Sequence, residues 1–193
     1  MSPYLNLIFA WLVFGIIHSV LAAPVSKRFA AKIFKGRTKY YRPVYSLIAL
    51  ITLLWVLHVH FSIGEPILWL APWYQRVLAL IMVLGGLVVM MICIRKYFLY
   101  LSGVDVFLDK TPVARLEQTG LHAHVRHPLY AGTLLFVWGI FAAFPYLSNL
   151  ISCACITGYT LIGIHFEERK LVREYGDEYR QYRSRVPMLI PSL

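Results

Sequence analysis

The sequence predicts an all-α, polytopic membrane fold with five spanning helices. Three observations carry that prediction: the chain is 59% apolar, it falls into uncharged runs of spanning length, and its basic residues gather in alternate connecting segments. Soluble globular chains average about 45–50% apolar and about 25% charged residues. Here Asp, Glu, Lys and Arg make up 15% of the 193 residues and the mean hydropathy is +0.64. These values exclude a disordered chain, a collagen and a soluble dinucleotide-binding enzyme. Five spans of about 20 residues each leave little chain for a separate soluble domain, so residues 1–193 read as a single domain.

The uncharged runs are Tyr4–Ala23, Val44–Ile63 and Val77–Ile94, followed by a forty-residue stretch from His127 to Phe166 without Asp, Glu, Lys or Arg. That stretch is twice the length of one span. Pro145 near its middle, followed by Tyr146-Leu147-Ser148-Asn149, breaks it into a helical hairpin with spans at about 130–144 and 147–166. The charges support the count. Lys27, Arg28, Lys32, Lys35, Arg37, Lys39 and Arg42 follow the first span; Arg95, Lys96, Lys110, Arg115 and Arg126 precede the hairpin; Arg169, Lys170, Arg173, Arg180, Arg183 and Arg185 follow it. Of nineteen basic residues only Arg76 lies elsewhere. Lysine and arginine accumulate in cytoplasmic loops, so these three segments are expected inside, with the N-terminus outside and the C-terminus cytoplasmic. In a bacterium the membrane would be the inner one. The first run has no basic residue before its apolar core and is expected to remain as a helix, not to be cleaved as a signal peptide.

The net charge of +10 is accounted for by this topology, so no nucleic-acid partner is inferred; contact with anionic lipid headgroups is the ordinary companion effect. Cys93, Cys153 and Cys155 are odd in number and lie in apolar runs, which indicates reduced packing residues, not a disulfide framework. His18, His58 and His60 read as hydrogen-bonded interior or interfacial residues. Oligomeric state is not legible: Gly85-Gly86 is the one small-residue feature that stands out, and it fits internal packing equally well.

Because the hairpin starts and finishes on the inner side, the residues before it (Arg126, His127, Tyr130) and after it (His165, Glu167, Glu168) are expected to meet near the inner interface. Ionisable residues at that depth are candidates for function, whereas Arg169 and Lys170 read as ordinary snorkelling residues. In the segment Gln118–Tyr130, Gly120 permits a tight turn and Pro128 suits the first turn of a helix. The free N–H groups of that helix start, with Arg126 beside them, would suit a carboxylate-bearing cofactor. Histidines 122, 124 and 127 raise the question of a metal, but no further histidine boxes accompany them, so no metal is assigned. Beyond the hairpin, Glu167–Gly176 continues as a helix to a glycine stop and Asp177 caps a second short helix. Leu171, Tyr175, Tyr179 and Tyr182 recur at helical spacing, a face suited either to anchoring at the membrane or to covering a cofactor. Val186–Pro191 then turns back toward apolar surroundings.

The combination Arg-His-Pro-x-Tyr-x-Gly at 126–132, an apolar hairpin, Glu-Glu-x-x-Leu, Tyr-Gly-x-x-Tyr-x-x-Tyr and Val-Pro-x-x-x-Pro resembles the superfamily of small integral-membrane methyltransferases. That group includes the isoprenylcysteine carboxyl and phospholipid methyltransferases. The matching motifs cover Leu116–Pro191, and in the front half His18-Ser19-Val20, the basic loop and Tyr40–Tyr45 resemble the methanethiol S-methyltransferase branch. The resemblance implies S-adenosylmethionine bound on the cytoplasmic side within residues 110–193, and a small or lipophilic acceptor reaching it from the membrane. It implies cofactor contacts from Ala114, Arg115, Leu116, Glu117, His122, His127, Pro128, Leu129, Tyr130, Glu167 and Glu168, with His122 standing where the family usually has an aromatic residue. In the carboxyl-methylating branch a substrate-associated arginine sits one turn before the first glutamate; here that position is Gly163, which favours a thiol acceptor over a carboxylate. The catalytic group is then expected to be Arg126, His127, Tyr130 and Glu167: Arg126 neutralising the cofactor's carboxylate, Tyr130 and Glu167 orienting its polar groups, His127 taking the thiol proton. The competing readings are a lipid-amine or prenylcysteine-carboxyl methyltransferase, a sterol-reductase-like enzyme using NADPH, and a non-enzymatic membrane scaffold.

Overall fold

The computed structural model describes residues 2–33, 40–64, 67–102 and 116–191. The described residues contain helices and turns and no strand: α1 (Pro3–Ala22), α2 (Pro24–Ile33), α3 (Tyr41–Phe61), α4 (Trp73–Ser102), a 3-10 turn at Gly120–Ala123, α5 (Pro128–Ala143) and α6 (Leu147–Arg185). Helices α1, α3, α4 and α6 are long and apolar enough to cross a membrane. Large apolar side chains such as Leu12, Ile16, Leu78 and Ile81 lie more than half exposed, which is the surface that lipid, not water, would cover. The chain is a multi-pass membrane protein.

The expected spans agree with the helices to within a few residues at most boundaries, and the departures have local causes. The basic segment after the first span is helical, not a loop. Pro24 forces Ala23 into an extended conformation (φ −63°, ψ 142°), and the Lys, Arg and Ala residues that follow are good helix formers, giving α2. Helix α5, at 16 residues, is about 24 Å long, short of the roughly 30 Å hydrocarbon core. Pro128 starts it, and it stops at Ala143, two residues before Pro145. Helix α6 is longer than a span: Leu147–Phe166 is its uncharged part, and the remainder continues past a break at Gly176, whose φ of +55° only glycine adopts readily.

The chain forms two compact units, residues 1–66 with 97–112 and residues 67–96 with 113–193. In the first, α1 and α3 pack together through Leu7, Ala10 and Val56 and through a polar contact of Tyr45 Oη with His18 Nε2 at 2.9 Å. Tyr41 Oη donates to the Leu21 carbonyl at 2.7 Å. His18 is thus a bonded interior residue, whereas His58 is exposed.

In the second unit α4 and α5 meet backbone to backbone. A Cβ at Gly86 would stand 2.7 Å from both the Gly132 carbonyl and the Phe136 nitrogen, and one at Gly139 would stand 2.9 Å from the Val83 nitrogen. Gly86 therefore serves internal packing. Helix α5 joins α6 through Trp138 Nε1, which donates to Thr157 Oγ1 at 3.1 Å, and Cys153 Sγ, which donates to the Val137 carbonyl at 3.1 Å. At the hairpin turn, Leu68 N–H donates to the Pro145 carbonyl at 2.8 Å and Gln75 Nε2 to the Ala142 carbonyl at 2.8 Å.

Candidate functional site

At the other end of the hairpin, the segment before α5 is drawn against the far half of α6. Gly120, at φ +59°, turns the chain into the 3-10 turn. Tyr182 Oη then donates to the His122 carbonyl at 2.6 Å and Gln118 Nε2 to Glu178 Oε1 at 3.1 Å. Glu117 accepts from the backbone N–H and the hydroxyl of Thr119. Leu116, Tyr179 and Tyr182 form a buried apolar cluster, flanked by Leu171, Val172, Tyr175 and Val186. The tail's aromatic face therefore points inward.

Arg126, His127 and Glu168 form the polar centre. Arg126 donates to Glu168 Oε1 from Nε at 2.8 Å and from Nη2 at 2.6 Å. Its Nη1 donates to the carbonyls of Val186 (2.5 Å) and Arg183 (3.2 Å). His127 is buried, with Nε2 3.3 Å from Glu168 Oε1, Nδ1 3.8 Å from Glu167 Oε2, and its ring stacked on Tyr130 at 5.7 Å. The backbone joins in: Arg126 N–H donates to the Pro187 carbonyl at 2.9 Å and His127 N–H to that of Met188 at 3.2 Å. Residues 186–188 thus strap the start of α5. Burial alone would raise the Glu168 carboxyl, but the hydrogen bond and charge of Arg126, then those of His127, outweigh it and hold the group below the usual glutamate range. Tyr179 is 1% exposed and its hydroxyl has no hydrogen-bond partner among the described residues. Burial and the nearby Glu168 carboxylate push its ionisation far above that of ordinary tyrosine.

A cavity of about 140 Å³ opens beside this centre. Of the residues singled out from sequence, Leu116, Glu117, His122, Arg126, His127 and Glu167 line it, together with Leu171, Tyr175, Tyr179 and Tyr182. Pro128, Leu129 and Tyr130 lie outside its wall, and Glu168 stands behind Arg126 and His127. Ala114 and Arg115 fall outside the described residues. His165 does not join the cluster. Ile164 and Glu168, four residues apart, mark the inward face of α6, and His165, turned about 100° from Ile164, is exposed beside Phe166. His124 is likewise exposed. Arg126 is already engaged by Glu168 and two carbonyls, which leaves little of its charge for a ligand's carboxylate. The strap was missed from sequence, although Pro187 and Pro191 signal an extended segment with unspent carbonyls.

A family model described as "Phospholipid methyltransferase" matches residues 74–178, more than half of the chain. "Methanethiol S-methyltransferase 2" of Bradyrhizobium diazoefficiens is 32% identical, over 93% of this chain and 70% of that protein. "Methanethiol S-methyltransferase 1" of the same organism is 45% identical over 43% of this chain and 28% of that protein. "Protein-S-isoprenylcysteine O-methyltransferase" of Xenopus laevis is 30% identical over 66% of this chain and 42% of that protein. The chain spans less than half the length of the last two relatives. No solved structure matches it. The matched region holds α4 from its second residue, the whole hairpin, both glutamates and the Arg126–His127 pair, and neither the reductase nor the scaffold reading is favoured by these relatives. On this combined ground the chain belongs to the phospholipid methyltransferase family and is a membrane methyltransferase.

Proposed function

We propose that the cavity beside Arg126 and His127 holds part of S-adenosylmethionine and that the acceptor is a small or lipophilic thiol. The observation that carries this reading is the buried Tyr179, its hydroxyl near Arg126 and Glu168 but without a well-formed hydrogen bond among the described residues, in the wall of a cavity that Glu117 and Glu167 also line. An orphaned buried hydroxyl is costly unless a ligand satisfies it, and two carboxylates suit a cofactor rich in hydroxyl and amino groups. At about 140 Å³ the cavity is smaller than the roughly 300 Å³ at which pockets for whole ligands begin, so it suits one end of the molecule. When bound, the cofactor supplies a methyl group already activated on a sulfonium, so the protein's task is chiefly alignment and exclusion of water.

In this reading Glu167, Glu117 and Tyr179 hold polar groups of the donor, while Arg126 and Glu168 lock the start of α5 in register with α6. His127 lies between two carboxylates, and in this reading it accepts the thiol proton as sulfur attacks. A thiol needs only that modest help, since it ionises far more readily than an alcohol. Gly163, with open space around the position of a Cβ, supplies no cation for an acceptor carboxylate, and the relatives named for methanethiol point the same way. The clustering of basic residues in three alternate segments supports a cytoplasmic site with the N-terminus outside.

The test is calorimetric titration of the detergent-purified protein with S-adenosylhomocysteine. Micromolar binding is expected for the wild type, weakened at least about tenfold in Glu167→Ala and Tyr179→Phe. His127→Ala should retain binding better than turnover, with its remaining activity rising as the pH approaches the thiol's own ionisation. Methanethiol, phosphatidylethanolamine and a prenylcysteine assayed side by side then identify the acceptor. A folded wild type that takes up no S-adenosylhomocysteine, or methylates only the amine or the carboxyl, overturns the corresponding half of the reading.

A further inference from the structure

The larger cavity of the second unit lies at the opposite end of α5. It measures about 550 Å³, and its walls include Trp69, Leu70, Leu80, Val83, Ile140 and Phe144. Helix α5 separates it from His127 by about 24 Å, so it is distinct from the site above. The volume falls in the range of pockets that enclose small-molecule ligands. The rim is also held in place. Leu68 N–H is tied to the Pro145 carbonyl, Trp69 Nε1 donates to Gln75 Oε1 at 3.3 Å, Gln75 donates in turn to the Ala142 carbonyl, and Trp69 packs edge-on against Phe141 at 5.6 Å. The Gly86 and Gly139 contacts fix α4 against α5 beneath it.

One charge stands among these apolar walls, that of Arg76. It is the single basic residue of nineteen outside the three basic segments, so membrane orientation does not account for it. Its side chain makes no ion pair or hydrogen bond among the described residues; only its backbone N–H is bonded, to Pro72. A permanent cation at the mouth of an apolar pocket, with Trp69 and Tyr146 beside it, is complementary to an amphiphile that joins an anionic group to a hydrocarbon chain. Helices with lipid-covered surfaces are surrounded by such a molecule.

We propose that this cavity binds a phospholipid of the bilayer, its phosphate paired with Arg76 and part of an acyl chain filling the pocket between α4 and the hairpin turn. The site differs from general annular contact because the rim is preformed and carries its own counter-charge.

The full-length protein, purified in mild detergent without added lipid, is tested by mass spectrometry of bound lipid, alongside Arg76→Ala, Arg76→Lys and Ala143→Phe, which intrudes on the cavity without touching the charge. Circular dichroism confirms that each variant is folded. About one phospholipid per chain is expected in the wild type. Retention should fall about tenfold in Arg76→Ala, the loss of one charge-assisted contact, be largely restored in Arg76→Lys, and be lost in Ala143→Phe. A diacylglycerol with the same chains should exchange in poorly. Equal retention by wild type, Arg76→Ala and Ala143→Phe, absence of lipid from the folded wild type, or retention of diacylglycerol as strong as that of phospholipid overturns the proposal. Binding of S-adenosylhomocysteine should be unchanged in Arg76→Ala, so the outcome is read independently of the methyl-donor site.

Discussion

The two ends of the hairpin are closed by opposite means. At the start of α5 and the far half of α6 the contacts are ionic: two arginines, Arg126 and Arg183, one histidine and two glutamates, with Arg126 also bonded to the carbonyls of Arg183 and Val186. At the turn between α5 and α6 the ties are neutral, made by Gln75, Trp69 and the backbone of Pro145 and Ala142. Burying charge costs several kcal/mol per ion unless its partners are well placed, whereas a neutral hydrogen bond is worth about 1 kcal/mol net. The ionic solution sits beside the proposed methyl-donor site. The inexpensive one sits around a cavity that asks only for apolar walls and a single cation.

The largest break in this contrast comes from Glu168→Ala. It leaves the guanidinium of Arg126, 9% exposed, without its counter-charge. A loss of about 3 kcal/mol in folding stability is expected, read as a lowered denaturation midpoint in detergent, with binding of S-adenosylhomocysteine reduced at the same time. Replacing Arg126 by Met in the same chain should restore part of the stability. The acid's lowered ionisation sets the pH window. The contribution of Glu168 is complete above its ordinary value of 4.5 and is lost as the pH falls below 4.5 and through the depressed folded value. Acid titration of the midpoint should therefore show a decline in the wild type that Glu168→Ala lacks.

Next in size is the seam between the two ends. Gly86→Ala puts a methyl 2.7 Å from backbone atoms of α5 that have no rotamer to change. Overpacking of this kind costs typically about 1–3 kcal/mol, and thermal unfolding should show it without a change in the acid decline. Smallest is Gln75→Ala, which removes two of the neutral ties at the turn and leaves the Leu68–Pro145 bond. About 1 kcal/mol is expected, with methyl transfer unaltered and retained lipid reduced, since the cavity rim is loosened.

The same contrast decides what is readable from the sequence. A hairpin that begins and ends on one side must bring Arg126 and His127 toward Glu167 and Glu168, and that followed from counting residues and charges. The uncharged runs of spanning length likewise marked the spans. The partners of Arg126 were another matter: three of its carbonyl contacts, side-chain and main-chain together, come from residues 183–187, and a backbone acceptor looks the same in every residue type. Spacing placed Leu171, Tyr175, Tyr179 and Tyr182 on one face but could not tell an outward anchor from an inward wall, because membrane and protein interior are both apolar. Arg76 was visible as the exception to the charge pattern; the cavity beside it depends on side-chain packing that no periodicity encodes.

The strap of residues 186–188 also has a consequence for how the enzyme is born. His127 and its acceptor Met188 are 61 positions apart in the chain. At roughly 5–20 residues per second of synthesis, some 3 to 12 seconds pass after the histidine is made before its backbone can be closed down. During that interval the hairpin can already be inserted and both glutamates can already be present, yet the arginine has only part of its coordination. The proposed site is therefore completed only when the residues that tie it shut have been made.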